Sequence, residues 1–345
     1  MSWLKAIEDI EELEDAVLDH NLIERMQQES LSYAKREIRF STPTFKEYSS
    51  TEISGCSSNS FPAFSITGGG CALMCDHCQA KILEPMVPVV KPEILEEKVR
   101  DLILMQNLQG FLLSGGSNRR NEIDYSRYYP VIEKLKTEFP HLKIAIHTAL
   151  TDEASAKRME AAGVDTAMMD VIGAQETIRD VYHLERSVDD FEATLAALSS
   201  TNMEISPHIV IGLHYGRILG ERNALEMVSR YNVGALVLVV IMPFYAKPGT
   251  FITPASRDVG EIFLEARKIM GEKPVLLGCA RPPGMAKREI DTYAVMAGLD
   301  GIAFPADGVV QVAEAINRPY SQSHACCSIK IGNVAGSGLA SACVA

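Results

Sequence analysis

Between residues 61 and 305 the chain repeats one pattern, and that pattern limits the folds open to it. Short apolar or β-branched runs end in Gly, Pro or a polar residue, and helical stretches separate them. The runs are 61–67, 110–114, 143–149, 166–172, 204–213, 235–242, 274–278 and 301–305; the helical stretches include 92–105, 128–139, 152–162, 188–199, 221–231 and 257–270. Strands that alternate with helices pair in parallel, because each helix carries the chain back to the same end of the sheet. Eight such units over about 245 residues fit an α/β fold of the (β/α)8 TIM-barrel type. A doubly wound open sheet is the alternative, although six strands would suffice for it. Active sites of such barrels lie at the C-terminal ends of the strands, so the residues just after each run are the informative ones.

The flanks read differently. Residues 1–60 are expected to be an N-terminal helical extension. Trp3, Ile7, Ile10, Leu13 and Val17 recur at helical spacing, a second helical stretch covers 21–36, and a Ser-rich segment follows. Residues 61–318 would form the barrel. Residues 319–345 are a Gly/Ser/Cys-rich tail, expected to close over the barrel mouth. The 345 residues carry 33 Lys and Arg against 45 Asp and Glu, a net charge of −12. That balance argues against non-specific binding to nucleic acid or to an anionic membrane. The longest apolar run, 235–245, is too short to span a bilayer, and the acidic start lacks the apolar core of a signal peptide. A cytoplasmic protein is therefore expected. In that compartment the eight cysteines, Cys56, Cys71, Cys75, Cys78, Cys279, Cys326, Cys327 and Cys343, serve metal binding, catalysis or burial rather than disulfides.

The first run leads into Gly68-Gly-Gly-Cys71-Ala-Leu-Met-Cys75-Asp-His-Cys78. The spacing is C-x3-C-x2-C on a loop after a strand. Three thiolates placed so closely can hold three irons of a [4Fe–4S] cluster and leave the fourth iron open. A catalytic cluster needs that open iron and an electron carrier does not. The preceding glycines allow the tight backbone that such a loop requires. A zinc site is the competing reading, but structural zinc takes four ligands, often as two separated pairs.

On these residues the chain resembles the radical S-adenosylmethionine (AdoMet) superfamily. Cys71, Cys75 and Cys78 occupy the cluster positions, and His77 stands where the family commonly has an aromatic residue. Ser114-Gly115-Gly116 resembles the glycine-rich segment that binds the methionine amino group, with Ser117 where many members have Glu. The stretch from His208 through Gly212, His214, Gly216 and Gly220 to Glu221 resembles the region that supports the adenine. The resemblance covers about residues 61 to 310. It implies a [4Fe–4S] cluster that cleaves AdoMet to a 5′-deoxyadenosyl radical, with Asp170 near the ribose. A polar strand end suits Asp170 equally well, and a helix start suits Glu221. His147 and Thr148 end the third run and face the same cavity; His208 fits a core role as readily as a ligand's.

Cys279 follows the seventh run, in Leu277-Gly-Cys279-Ala-Arg281-Pro282. A buried cysteine acting as a small hydrophobe is the plain reading. With Cys326, Cys327 and Cys343 delivered by the tail, it could instead ligate a second, auxiliary [4Fe–4S] cluster; Cys56 is a further candidate. Arg281 could support such a cluster or form a salt bridge. The chain resembles biotin synthase and its relatives, and most closely the archaeal-type two-component lipoyl synthase proteins. The shared stretches are 65–75, 113–116, 207–221 and 277–282. That resemblance implies a sulfurtransferase: sulfur from the second cluster enters the octanoyl chain of a lipoyl carrier domain. It further implies a homologous second synthase subunit and an electron donor such as ferredoxin or flavodoxin. Bacterial-type lipoyl synthases place a donor-cluster motif before the radical motif, whereas here only Cys56 precedes Cys71. Another radical AdoMet mutase or lyase of cofactor biosynthesis is the alternative enzyme, and an iron–sulfur scaffold or electron-transfer protein is the alternative of another class.

Overall fold

Each of the eight runs becomes a strand in the computed structural model, which describes residues 2–43, 48, 50, 52, 53, 61–106, 108–323 and 326. In chain order the strands are β1 (Ile38–Ser41), β2 (Ala63–Ser65), β3 (Val87–Pro88), β4 (Gly110–Ser114), β5 (Lys143–His147), β6 (Thr166–Asp170), β7 (Glu204–Ile211), β8 (Leu236–Val240), β9 (Val275–Leu277), β10 (Gly301–Ala303) and β11 (Tyr320–Ser323). The sheet order is β11-β1-β10-β9-β8-β7-β6-β5-β4-β2-β3, and every ladder is parallel. The eight expected strands are thus neighbours in sequence order, as in a TIM-type wall. The sheet is curled rather than a closed ring of eight: it ends at β11 and β3, and no ladder joins these edges among the described residues.

Three strands were not expected. β3 is two residues long and contains Pro88, which suits an edge. β11 reads Tyr-Ser-Gln-Ser with no buried position. β1 follows a helix that the sequence pattern carries to about residue 36. These strands are recruited by backbone pairing with a neighbour already in place, a tertiary effect that composition does not register. The expected helices appear as Pro92–Gln106, Tyr129–Glu138, Glu153–Ala161, Val188–Ser199, Glu221–Ser229 and Ser256–Met270; Gln175–Asp180, Met285–Met296 and Val309–Ala315 are additional. Local chemistry sets their starts. Ser187 and Asp190 form a reciprocal capping box, and the Asp152 carboxylate accepts the Ser155 N–H. Of the N-terminal apolar set, Trp3, Ile7, Ile10 and Leu13 are buried, but Val17 is exposed because the helix Trp3–Ile7 ends well before it. No helix among the described residues is long and apolar enough to cross a membrane.

Alternation along the strands separates two faces. Ile144, Ile146, Ala167, Met169, Ile205, Ile209 and Ile211 point outward into the large core shared with the helices. Ala145 and Met168 point inward and pack with Phe61, Leu112 and Cys326. A second inner cluster holds Ala235, Val237, Leu276, Ala303 and Phe304. The strand ends and the loops above this lumen carry the residues of interest.

Candidate active site

The three-cysteine loop leaves β2 through a turn locked by its own side chains. Ser65 Oγ donates to the Gly68 carbonyl at 2.6 Å, and Gly68 has a left-handed φ of +58°. The loop then curls through Met74, Gln79 and Ala80, all at positive φ. Gln79 Nε2 holds this curl by donating to the carbonyls of Met74 at 3.1 Å and Cys75 at 3.0 Å. Cys75 is buried, and Cys71 and Cys78 are partly so. Burial, reinforced by the neighbouring thiols, pushes Cys75 far above the usual thiol range and Cys78 to about 11. Bare thiolates are therefore unfavourable here, and a cationic cluster is the kind of ligand that removes their protons. Among the described residues no group of three or more His, Cys, Asp or Glu is placed around one metal ion. A cubane takes each of the three thiolates on a different iron.

Two segments brace the loop. The backbone N–H of Ala72 donates to Ser117 O at 2.9 Å, and Gly116 N–H donates to Thr67 Oγ1 at 2.7 Å. A Cβ at position 116 would lie 2.0 Å from Gly70 O and 2.6 Å from Cys71 Cα. Gly116 must therefore be glycine for Cys71 to stand where it does. Gly116→Ala is expected to displace the loop at a cost of about 1–3 kcal/mol. Reconstituted iron content should fall several-fold while far-ultraviolet circular dichroism stays unchanged; wild-type iron content would refute this packing role.

Asp76, which the sequence did not single out, ties the loop to the opposite wall. Its carboxylate takes His183 Nε2 at 3.1 Å and the Tyr215 hydroxyl at 3.3 Å; Asp76 N–H donates to Val181 O at 3.0 Å and Asp76 O accepts Lys247 N–H at 3.1 Å. Loops after β6, β7 and β8 thus converge on the residue between two cysteines. His77 beside it is partly buried, and its desolvation lowers its pKa to about 4, so the ring is neutral. Its ring packs 5.0 Å from that of Tyr182. His77 Nδ1, the Tyr182 hydroxyl and Glu221 Oε2 are buried atoms without a hydrogen-bond partner among the described residues. Orphaned polar atoms of this kind are costly unless a ligand meets them, and they lie where the resemblance puts AdoMet. The residues present fit that cofactor and its cluster.

The other expected ligands occupy strand ends or the loops beyond them. Ser114 closes β4 and is buried, and its carbonyl accepts Ile66 N–H at 2.9 Å. A Cβ on Gly115 would fall 2.8 Å from Ile66 Cγ1. Asp170 closes β6, with His147 Nε2 3.8 Å from its Oδ1. Glu221 begins its helix, is buried, and accepts Gly212 N–H at 2.8 Å; burial raises its pKa. With Val171, Ile172 and Leu213 it lines a narrow crevice. His214 Nδ1 lies 3.3 Å from Thr177 Oγ1. Cys279 is exposed just after β9, close enough to Tyr245 to help raise its pKa behind the larger effect of burial. Cys326 packs against the inner cluster of Phe61, Ala145 and Met168. Cys56, Cys327 and Cys343 lie outside the described residues. Arg281 is committed to a salt bridge with Asp291 rather than exposed toward a ligand.

Fold and loop together place three cysteines just beyond the C-terminal end of a strand in a curled, parallel α/β sheet. Residues 65–227 match the Radical SAM superfamily. That superfamily works with a [4Fe–4S] cluster and S-adenosylmethionine. Solved structures share the fold at low identity. HydG, a maturase of the [FeFe]-hydrogenase, gives a TM-score of 0.60 at 11% identity over 94% of this chain and 75% of its own. Methylornithine synthase, PylB, gives 0.54 at 13% over 88% and 85%. HydG from Carboxydothermus hydrogenoformans gives 0.55 at 14% over 88% and 67%. At such identity the likeness carries the fold alone. No curated protein matches the chain.

Proposed function

We propose that the chain is a radical SAM enzyme that inserts sulfur into the octanoyl chain of a lipoyl carrier domain, as one component of a lipoyl synthase. The observation that carries the radical chemistry is the three-cysteine loop after β2, closed over its own carbonyls and braced by Gly116 and Asp76. Cys71, Cys75 and Cys78 would hold the cluster; His77, Tyr182, Ser114 to Gly116 and the Glu221 crevice would receive AdoMet. When bound, the pair supplies the electron and the 5′-deoxyadenosyl radical that abstracts hydrogen from an unactivated carbon. This chain's residues orient the two and keep water out of the strand-end cavity. The sulfur-transfer part rests on the resemblance to archaeal-type lipoyl synthases. It is supported by the places of Cys279, just after β9, and Cys326, against the inner wall, which would be two ligands of an auxiliary cluster. The carrier domain, a homologous second subunit and a ferredoxin- or flavodoxin-type donor are its proposed partners.

The test is mass spectrometry of a peptide bearing octanoyl-lysine, incubated anaerobically with AdoMet, reductant and the reconstituted chain, with and without the homologous subunit. Added sulfur together with 5′-deoxyadenosine is expected. Formation of 5′-deoxyadenosine with no sulfur in either arm would transfer the chain to a mutase or lyase of the same kind. No 5′-deoxyadenosine at all would refute the radical reading.

A further inference from the structure

Three titratable side chains stand together on the inner face of the wall. His147 ends β5, Asp170 ends β6, and His208 on β7 is the register partner of Asp170. His147 Nε2 lies 3.8 Å from Asp170 Oδ1, and the two imidazole centroids are 5.4 Å apart. Strand alternation puts His147 on the face of Ala145, and Asp170 on the face of Met168. Those two residues belong to one inner cluster, and on the other side His208 has Val237 as its ladder partner, which with Leu276, Ala303 and Phe304 forms the other apolar patch. A polar ledge thus stands between two buried apolar clusters, where polar groups are costly unless engaged.

The proton on His208 can be placed. Its Nδ1 lies 3.0 Å from the Ser206 carbonyl. A carbonyl only accepts, so Nδ1 carries the hydrogen and Nε2 presents a lone pair. Burial, with His147 adding to it, lowers the His208 pKa to about 4, which keeps the ring neutral. The ledge therefore offers an imidazole acceptor beside a carboxylate. Acceptors of this kind select a hydrogen-bond donor and reject an anion.

We propose that His208, Asp170 and His147 form a substrate subsite that anchors an N–H donor, an amide or an ammonium, at the polar end of a hydrocarbon chain lying along the apolar wall. His208 Nε2 and Asp170 accept from the donor, and His147 is a positioning residue that holds the Asp170 carboxylate. The inference deepens the acyl-chain reading above and rests on it; it assigns His147 and His208, which no other part of that reading uses.

The experiment is calorimetric titration of the reconstituted full-length chain with octanamide, octylammonium and octanoate. The two donors are expected to bind at least tenfold more tightly than octanoate. His208→Leu should weaken octanamide about tenfold, the worth of one buried hydrogen bond. His208→Gln, which keeps an acceptor, should retain most of the affinity. Octanoate binding as tightly as octanamide, no binding of either donor, or an unchanged His208→Leu variant would each overturn the proposal. If His208→Leu does not fold, the wild-type preference among the three probes decides. The yield of 5′-deoxyadenosine in the same preparations reports separately on the radical chemistry, so the two readings fail by different measurements.

Discussion

Replacing Cys71, Cys75 and Cys78 together by alanine is expected to remove about four irons per chain and to reduce 5′-deoxyadenosine formation to background. The three thiols sit on one short loop, and desolvation raises the pKa of Cys75 and Cys78 so that their protons are hard to lose without a compensating cation. Nothing else on that loop can hold iron in their place: His77 points a neutral ring at Tyr182, and Asp76 is occupied by His183 and Tyr215. Iron and sulfide analysis after anaerobic reconstitution reads the loss directly, and the same assay weighs the auxiliary cluster. A wild-type chain holding about eight irons that falls to about four in the triple variant supports two clusters. A wild-type chain holding about four irons that falls to none retains the radical cluster and removes the proposed sulfur donor.

Much of this was legible in the sequence because it is local. The three-cysteine spacing lies within eight residues, and each barrel strand is announced by its own apolar run. What the sequence hid is tertiary. β11 has no apolar signature and exists because β1 offers it a parallel edge. Asp76 reads as an ordinary polar residue between ligands; its partners His183 and Tyr215 are more than a hundred positions away. Gly116 was legible as part of a glycine-rich segment, but its close approach to Cys71 depends on two loops meeting. The sequence placed Asp170 near the ribose and His147 at the cavity, but that they form one group with His208 follows only when β5, β6 and β7 are laid side by side. Functional spacing within one loop can be read from the chain, whereas a constellation drawn from several strands needs their register.

The buried pair Arg281–Asp291 gives the largest expected effect on stability. Both side chains are fully buried. Arg281 Nε donates to Asp291 Oδ1 at 2.5 Å and Nη2 to Oδ2 at 2.9 Å, while the same guanidinium reaches the carbonyls of Gly278 at 2.8 Å and Phe304 at 2.7 Å. Asp291 Oδ2 also accepts the Ala306 N–H at 2.7 Å. One ion pair thereby fastens the ends of β9 and β10 to the helix Met285–Met296, two residues from Cys279. Arg281→Met leaves a carboxylate buried without its partner, and a broken pair of this kind costs about 3–5 kcal/mol. Against a typical total of about 5–15 kcal/mol that is a large share of the stability. Urea unfolding should show the loss as a lower midpoint at an unchanged slope. The double variant Arg281→Met/Asp291→Leu removes both charges and should recover much of it, since an apolar pair of similar volume often replaces a buried ion pair without net cost. Recovery stays incomplete because the Gly278 and Phe304 carbonyls and the Ala306 N–H lose their partners. A single variant that loses less than about 1 kcal/mol, no more than a surface pair is worth, would show that these strand ends are held by packing alone, and that Cys279 does not depend on the ion pair for its place at the barrel mouth.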